Sequence, residues 1–364
     1  MDSNLNIMQP ILANNYIIHF NQNGFEALNE LINNNKYSSI FILVDEHTNE
    51  HCLSRLLPNI ATEVKIEVIE IEAGEDIKNI STCVELWSIL SDFGADRKSV
   101  LLNLGGGVIT DIGGFIASTF KRGIDFINIP TTLLAMVDAS IGGKNGVDLG
   151  NLKNQIGIIN VPKMVLIDTD FLNTLSPKEM RSGLAEMLKH GLIYDKDYWN
   201  TFAIQILSGT IKIDFENFDA LIYRSIEIKN EIVQQDPTEN GIRKTLNFGH
   251  TLGHAIESNF LESENPLLHG EAIALGMILE SYISMKKEML TIDEFNQIKL
   301  VISCIFEFPD LTENDIFAIQ KLLIHDKKNE YGKVQFALLN GIGKCLINQI
   351  IDNELITNSF KNIY

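Results

Sequence analysis

Residues 102–111 read LNLGGGVITD, an apolar run that enters three glycines and continues as an amphipathic pattern through Ile112 and Ile116. This order predicts a buried strand, a tight turn and a helix. Glycine has no Cβ atom and a helix N-terminus presents unpaired N–H groups, so the turn suits the pyrophosphate of a dinucleotide. Thr110 stands where the common GxGxxG pattern has its last glycine, so a turn without a ligand stays open as an alternative.

Short β-branched runs alternate with helical patterns on both sides of this turn, from residue 15 to about residue 170. Such alternation is typical of βαβ units on a mostly parallel sheet. The predicted strands are Tyr16–Phe20, Ile40–Val44, Lys65–Ile71, Val100–Leu104, Phe126–Ile129 and Val165–Ile167. The N-terminal part of the chain is therefore expected to be an α/β domain.

The pattern changes after Ser176. Residues 176–179, SPKE, form a capping box with proline at the first helical position, and a second box runs from Thr291 to Glu294. Helical periodicity dominates the rest of the chain, apart from a predicted hairpin where Val334–Leu339 meets Asn340-Gly341. We therefore predict two domains: an α/β domain over residues 1–174 and a mostly α-helical domain over residues 175–364.

The charge balance limits the possible partners. The chain has 48 acidic and 29 basic residues, a formal net charge of -19, and this acidity disfavours nucleic acid and anionic membrane surfaces. The four cysteines are scattered without a CxxC pair, which is typical of a reducing compartment. No signal-peptide pattern or long apolar run is present, so we expect a cytoplasmic protein without a membrane anchor.

A second candidate motif follows the strand at Phe126–Ile129. Residues 130–144 read PTTLLAMVDASIGGK and place hydroxyls, one carboxylate and a lysine at the carboxyl end of a parallel strand, where open α/β sheets bind ligands. It is not a Walker A loop, because Asp138 occupies the position of the first glycine and Asn145 follows the lysine. A surface turn with a solvated lysine is the alternative.

A third candidate site combines one carboxylate with histidines. Glu186 lies within an apolar helical pattern, and buried carboxylates are seldom unpaired. His250 and His254 are four residues apart in HTLGH and share a helix face, while His269 precedes a long apolar helix. Two imidazoles and one carboxylate can form the open three-ligand site of a catalytic zinc. HTLGH lacks the glutamate of an HExxH protease, and each histidine alone is more often a core or surface residue.

Cations accompany these motifs in an otherwise acidic chain. Arginine and lysine converging on a cleft would bind phosphate and carboxylate groups. The candidates are Arg122, Lys144, Lys153, Lys189, Lys229, Arg243, Lys327 and Lys328. Solvated surface positions are the alternative, above all for the last two.

Six segments, in this order, resemble the 3-dehydroquinate synthase family: GGGVITDIGGF, IPTTLLAMVDASIGGKNGVD, LKNQIG, GLAEMLKHGLI, GIRKTLNFGHTLGHAIE and LHGEAIALGM. The resemblance covers residues 40–345. It implies a Rossmann-like N-terminal domain that holds NAD, a helical C-terminal domain that holds zinc or cobalt, an active site in the cleft between them, and a homodimer. The implied reaction converts 3-deoxy-D-arabino-heptulosonate 7-phosphate, a sugar phosphate, into 3-dehydroquinate and phosphate.

The resemblance also implies roles for individual residues. The metal ligands are Glu186, His250 and His269. The substrate-binding or catalytic residues are Asp138, Lys144, Lys153, Asn154, Lys189, Lys229, Glu239, Arg243, Asn247 and His254, with His254 and Glu239 as candidates for proton transfer. The NAD-binding residues are Asp45, Glu75, Lys78, Gly105, Gly106, Gly107, Asp111, Thr131 and Thr132, joined by Asp138, Lys144 and Lys153. Arg122 would reach the phosphate site of a neighbouring subunit, and Lys327 or Lys328 would meet the phosphate.

The chain departs from the family pattern at a few positions. Ala139 replaces a common serine, Asn145 a common threonine, and His47 an asparagine that often meets the adenosine ribose. Lys144 and Lys153 keep the usual spacing of nine, so we expect an intact site. The alternatives are a metal-dependent glycerol or alcohol dehydrogenase, another sugar-phosphate cyclase such as 2-deoxy-scyllo-inosose synthase, and a non-catalytic nucleotide-binding protein.

Overall fold

Two compact units make up the chain, Met1–Ser176 and Pro177–Tyr364. The computed structural model describes residues 8–150, 152–207, 215–261, 263, 265–323 and 334–362. Lys327 and Lys328 lie outside the described residues.

A seven-stranded sheet organises the described part of the N-terminal unit, with the order β1-β2-β9-β6-β5-β3-β4. The strands of this unit are β1 Ile11–Leu12, β2 Ile17–Phe20, β3 Ile40–Asp45, β4 Ile66–Ile71, β5 Val100–Gly105, β6 Asp125–Pro130, β7 Lys144–Leu149, β8 Leu152–Ile159 and β9 Met164–Ile167. Its helices are α1 Asn21–Asn35, α2 Glu46–His51, α3 Leu53–Leu56, α4 Ile80–Asp92 and α5 Gly107–Thr119.

The sheet is parallel except for the short β1–β2 pair. Strand β5 is buried along its whole length, which explains why its sequence is apolar on both faces except for Asn103, whose amide donates to Asn128 Oδ1 at 2.8 Å. All six strands predicted from the sequence are present with shifts of one residue at their ends, so the predicted α/β fold is confirmed. Parallel register aligns Gly105 of β5 with Pro130 of β6, and the segments that follow both strands leave the sheet at the same edge.

A hairpin formed by β7 and β8 is an element that the sequence analysis did not predict. The two strands pair antiparallel, with Lys144 opposite Ile159, and they form a separate two-stranded sheet. Gly150 at φ 57° lies in the connection between them. The Gly-Asn dipeptide at residues 150–151, between Leu149 and Leu152, was an available hairpin signal.

The C-terminal unit is mostly helical, as expected. Its helices are α6 Pro177–Tyr194, α7 Lys196–Leu207, α8 Phe215–Gln235, α9 His250–Phe260, α10 His269–Lys286, α11 Ile292–Ser303, α12 Glu313–Leu323 and α13 Asn353–Lys361, and its strands are β10 Gln335–Leu339 and β11 Cys345–Ile350. Helix α10 is buried on every face from Gly270 to Ser284 and is mostly apolar, so it forms the centre of the unit. No helix within the described ranges is long and apolar enough to cross a lipid bilayer.

Local sequence signals locate several of these elements correctly. Helix α6 begins at Pro177, as predicted from SPKE. The Thr291 hydroxyl accepts the N–H of Glu294 at 3.2 Å while the Glu294 carboxylate accepts the N–H of Thr291 at 3.0 Å, which confirms the second capping box. The predicted hairpin is β10–β11, and its turn includes Gly341 at φ 83°.

Glycines bring α9 and α10 unusually close together. A Cβ atom on Gly276 of α10 would overlap with the backbone carbonyl oxygen of Gly249, which immediately precedes α9. A Cβ atom on Gly253 of α9 would lie 2.7 Å from the Ile273 side chain of α10. Gly249 and Gly253 are four residues apart in the sequence, so both face α10.

We expect Gly276→Ala to destabilise the protein by about 1–3 kcal/mol, because the added methyl group meets backbone that cannot rotate away. Urea denaturation followed by circular dichroism measures the change. Ser281→Ala is the matched control, since Ser281 is also fully buried on α10 but the substitution adds no atom. A wild-type midpoint for Gly276→Ala would show that the two helices are not in this close contact.

Candidate active site

The glycine turn of the N-terminal unit has the predicted form. Strand β5 ends at Gly105, and α5 begins at Gly107 without a side-chain cap on Gly106. A Cβ atom on Gly105 would lie 2.5 Å from Ile109, and one on Gly106 would lie 3.1 Å from Thr132. The glycines therefore satisfy a packing requirement of the turn, and they also leave the start of α5 uncovered by a side chain, which is suitable for an anion.

Four residues expected to contact NAD form one charged cluster in the N-terminal unit. Lys78 Nζ lies 2.7 Å from Asp111 Oδ2 and 3.8 Å from Glu75 Oε1, and Lys153 Nζ lies 3.7 Å from the same Glu75 oxygen. Burial alone would lower the pKa of Lys78, but the charges of Asp111 and Glu75 outweigh it and raise this pKa. Lys78 is therefore a permanent cation that holds two carboxylates in place.

Asp111 occupies the opposite side of the same ion pair. Burial raises the pKa of its carboxyl group, and the charge of Lys78 acts in the opposite direction. Asp111 projects from the second turn of α5, so the ion pair ties this helix to the loop that carries Glu75 and Lys78. The cluster thus links the GEDIK segment at residues 74–78 to the helix that follows the glycine turn, about 30 residues later in the sequence.

The β7–β8 hairpin carries Lys144, Lys153 and Asn154. Asn154 has φ 51°, and its N–H donates to Asp148 Oδ1 on the facing strand. The Asn145 amide donates to the carbonyl oxygens of Gly143 and Asn160 at 3.0 and 2.8 Å. The departure from the family pattern at Asn145 is thus accommodated by two hydrogen bonds to backbone carbonyls at the open end of the hairpin.

Other residues of this unit that the sequence analysis named lie at a strand end, in the interior or at the surface. Asp45 ends β3 and caps α2, since its Oδ1 accepts the Thr48 N–H at 2.8 Å. Thr131 is buried, and its N–H donates to the Gly105 carbonyl at 3.0 Å. His47 and Arg122 are exposed, and Arg122 has φ 69°.

In the C-terminal unit, Glu186 of α6 meets two histidines from two other helices. Glu186 is 0% exposed, and its Oε1 atom lies 3.5 Å from His250 Nε2 and 3.8 Å from His269 Nε2. Lys189, also buried and one turn further along α6, contacts the other carboxylate oxygen. The structure therefore brings the three expected metal ligands together.

Hydrogen bonds set the tautomers of the two rings. His250 Nδ1 lies 3.1 Å from the Phe248 carbonyl oxygen, and His269 Nδ1 lies 3.3 Å from Glu257 Oε2. A carbonyl oxygen and an ionised carboxylate only accept, so both Nδ1 atoms are donors, and in a neutral ring the Nε2 atom then carries the lone pair. Those lone pairs face Glu186 Oε1, which has no hydrogen-bond donor among the described residues.

His254 joins the same cluster. Its ring centroid lies 5.1 Å from that of His250 and 5.7 Å from that of His269. One ring nitrogen from each of the three histidines lies within 4.8 Å of the others. The i, i+4 spacing in HTLGH thus has the geometric effect that the sequence predicts, because His250 and His254 share one face of α9.

The loop between α8 and α9 carries Glu239, Arg243 and Asn247. The Asn247 amide donates to Glu239 Oε1 at 3.0 Å, and Arg243 Nη1 donates to the Pro237 carbonyl at 2.8 Å. Arg243 is 2% exposed, an unusual position for a guanidinium group. Lys229, on α8, is also buried.

Two carboxylates near these residues were missed by the sequence analysis. Asp236 accepts three backbone N–H bonds, from Asn240 at 3.0 Å, from Gly241 at 2.7 Å and from Arg243 at 3.0 Å, and it thereby shapes the loop that carries Arg243. Glu257 lies on α9 two turns after His250 and orients His269. The spacing of seven between His250 and Glu257 was an available signal, since it places both side chains on one helix face.

Two family models match adjacent parts of the chain. The model for the 3-dehydroquinate synthase N-terminal domain matches residues 68–182, and the model for the C-terminal domain matches residues 183–329. A curated 3-dehydroquinate synthase from Parabacteroides distasonis is 42% identical over 334 residues, which are 91% of this chain and 93% of the relative. The chain belongs to the 3-dehydroquinate synthase family.

Solved structures share the fold of this 3-dehydroquinate synthase family member. A 2-epi-5-epi-valiolone synthase from Streptomyces hygroscopicus with NAD+ and Zn2+ bound has a TM-score of 0.85 and 26% identity, with 98% of each chain covered. A 2-deoxy-scyllo-inosose synthase complexed with carbaglucose-6-phosphate, NAD+ and Co2+ has a TM-score of 0.84 and 23% identity, with 97% of this chain and 99% of the other covered.

Replacing Asp236 should loosen the Arg243 loop. In Asp236→Asn an amide group faces N–H donors, so we expect a loss of stability of about 1–3 kcal/mol at neutral pH, measured by urea denaturation. Burial raises the pKa of Asp236, but the three N–H bonds outweigh it and lower this pKa below the ordinary value. The contribution is therefore complete above the unfolded-state pKa of about 3.9 and is lost as pH falls through the lower folded-state pKa.

Urea denaturation repeated between pH 3 and pH 7 tests this pH dependence, and a surface aspartate provides the control. Asp293→Asn changes an exposed aspartate in the first turn of α11 and should alter stability by less than about 0.5 kcal/mol. Equal stability of Asp236→Asn and wild type from pH 3 to pH 7 would contradict the role given to this carboxylate.

Proposed function

We propose that this protein catalyses the reaction from which its family takes its name, the conversion of 3-deoxy-D-arabino-heptulosonate 7-phosphate into 3-dehydroquinate and phosphate. The observation that carries this proposal is the convergence of Glu186, His250 and His269 in a chain that matches the family over most of its length. It makes the protein an NAD- and metal-dependent carbon–oxygen lyase.

The donor set supports a divalent cation. Ligand atoms at about 2.0–2.1 Å from a tetrahedral metal are separated by roughly 3.3 Å, close to the distances between Glu186 Oε1 and the two Nε2 atoms. Three atoms that each present a lone pair to the same point repel one another unless a cation lies between them. Imidazole and carboxylate ligands together suit zinc and cobalt, and three protein ligands leave coordination positions for a substrate.

The N-terminal unit supports the proposed NAD site. Gly105–Gly107 would lie against the pyrophosphate at the start of α5, and Asp45 at the end of β3 would meet a ribose hydroxyl. Thr131 and Thr132, which follow β6, and the cluster of Glu75, Lys78, Asp111 and Lys153 would line the same ligand.

Two cofactors would supply the redox and Lewis-acid chemistry: NAD would take a hydride from a hydroxyl-bearing carbon of the substrate and later return it, and the metal would lower the pKa of that hydroxyl. The chain itself must hold a flexible anionic substrate. The residues proposed to bind this substrate are Asp138, Lys144, Lys153, Asn154, Lys189, Lys229, Arg243 and Asn247. Lys327 or Lys328 is proposed to bind its phosphate group. Arg243 presents a planar fork that matches a carboxylate.

His254 and Glu239 are the proposed proton-transfer residues. His254 lies beside both metal-ligand rings, and an imidazole can both accept and return a proton. Glu239 is held by Asn247 through a 3.0 Å hydrogen bond, so its carboxylate has a defined orientation. Phosphate elimination also needs a base, and the phosphate group of the substrate can serve.

The proposal includes a homodimer in the cytoplasm. Arg122 is exposed three residues after the end of α5, so its side chain is available to a second copy of the chain. The cysteines are free thiols in the structure, as a reducing compartment requires.

His269→Ala should remove one metal ligand and abolish turnover while the fold is kept, because an open catalytic site contributes less to folding than a closed structural one. Metal content and circular dichroism measure the two effects. His51→Ala, which changes an exposed histidine on α2, is the control and should bind metal normally. A metal-free His269→Ala protein with full activity would refute the ligand assignment.

The requirement for NAD separates a synthase from a dehydrogenase. A hydride that returns to the substrate regenerates NAD in each cycle, so NAD far below the substrate concentration should support many turnovers. Phosphate release and NADH absorbance would be followed together, with and without a chelator. Accumulation of one NADH per substrate, without 3-dehydroquinate, would replace the proposed function with that of a dehydrogenase.

A further inference from the structure

Helix α9 starts without a capping side chain of its own. The residue before His250 is Gly249, at φ 78°. A Cβ atom there would lie 2.5 Å from Met277 Cγ and 3.1 Å from the Ile273 carbonyl oxygen, so the serine, threonine or aspartate that usually caps a helix cannot fit. Leu252, at the third helical position, is apolar and cannot complete a capping box. The first N–H groups of α9 therefore need an acceptor from another part of the chain.

Glu280, on α10, supplies that acceptor. Its Oε2 atom accepts the N–H of Gly249 at 2.6 Å, and its Oε1 atom accepts the N–H of Leu252 at 3.1 Å. These two N–H groups are the ones that a local capping box would satisfy. Glu280 is 0% exposed, and its charge lies at the positive end of the α9 dipole.

A single peptide plane connects Glu280 to the ring of His250. The N–H of Gly249 and the C=O of Phe248 belong to the same planar peptide group. That carbonyl accepts a hydrogen bond from His250 Nδ1 at 3.1 Å. Fixing the N–H end of this plane therefore fixes the carbonyl that sets the tautomer of His250 and directs its Nε2 atom toward Glu186.

We infer that Glu280 is a positioning residue that orients His250 for metal binding through the Phe248–Gly249 peptide. This inference rests on the proposed metal site. It differs from a purely structural role, because a capping carboxylate that served only stability would leave the metal affinity of the folded protein unchanged.

Glu280→Gln tests the inference. The amide keeps one acceptor oxygen and replaces the other by a donor, so one of the two α9 N–H groups loses its acceptor. We expect Zn2+ to bind about 10- to 100-fold more weakly than to wild type, the range typical of lost outer-shell support. The measurements are competition with a chelator on the full chain after metal removal, the visible absorption spectrum of the Co2+ form, and urea denaturation of the metal-free protein.

Ser284→Ala is the matched control. Ser284 is buried one turn further along α10, and its hydroxyl accepts the N–H of Leu339 at 3.1 Å and donates to the backbone carbonyl of Glu280 at 2.8 Å. Neither of these hydrogen bonds involves the Glu280 carboxylate or α9. This variant should lose stability but keep wild-type Zn2+ affinity and the wild-type Co2+ spectrum. If Glu280→Gln does not fold, the same comparison is made with Glu280→Asp, which keeps the charge but is one methylene too short to reach both N–H groups.

The outcomes separate the inference from the proposed function. Weaker Zn2+ binding and a changed Co2+ spectrum in the Glu280 variant, but not in Ser284→Ala, would support the positioning role. Wild-type Zn2+ affinity in a folded Glu280 variant would overturn it and leave the proposed function intact. A wild-type protein that binds neither Zn2+ nor Co2+ would instead contradict the metal site and, with it, both proposals.

Discussion

The burial of one carboxylate determines how the C-terminal unit is built. Glu186 has no access to water, and a charge in that position is stable only when cations or strong donors surround it. Lys189 contacts one oxygen, and the imidazoles of His250 and His269 face the other. Lys189 lies on α6 itself, whereas the two rings lie on α9 and α10 and can compensate the carboxylate only through a shared cation. The three helices must therefore pack in one fixed arrangement before the proposed metal can bind.

The N-terminal unit contains the reverse case, a buried cation that is compensated by carboxylates. Lys78 is a buried cation, and Asp111 and Glu75 surround it with negative charge. In both units a group of opposite charge compensates the buried charge: Lys189 does so for Glu186, and Asp111 and Glu75 do so for Lys78. Removal of a single partner would leave an uncompensated buried charge, which costs far more than the loss of a surface ion pair. Such clusters define the geometry of their elements more strictly than apolar packing alone.

Most of the fold can be predicted from local sequence signals, whereas parts of the site cannot. The six strands, the starts of α6 and α11 and the shared face of His250 and His254 are all indicated by periodicity, capping residues or i, i+4 spacing. Roles for Glu186, His250 and His269 were implied by family resemblance. Asp236 and Glu280 were not found, because each acts through hydrogen bonds to backbone N–H groups. Almost every residue has such a group, so the residue type does not show which of them serves as a donor. For Glu280 those donors are also about 30 residues away.

The acidity of the chain and the binding of a phosphorylated, carboxylate-bearing substrate are compatible for a physical reason. The net charge of -19 is a property of the whole surface, and its field is screened within roughly 8 Å at physiological ionic strength. Lys78, Lys189, Lys229 and Arg243 are all buried. A cation that has already lost most of its hydration during folding loses little more when an anion arrives, and it acts in a medium of low dielectric constant. The affinity of such a site for anions is therefore set by the packed elements that hold its cations and not by the sign of the total charge.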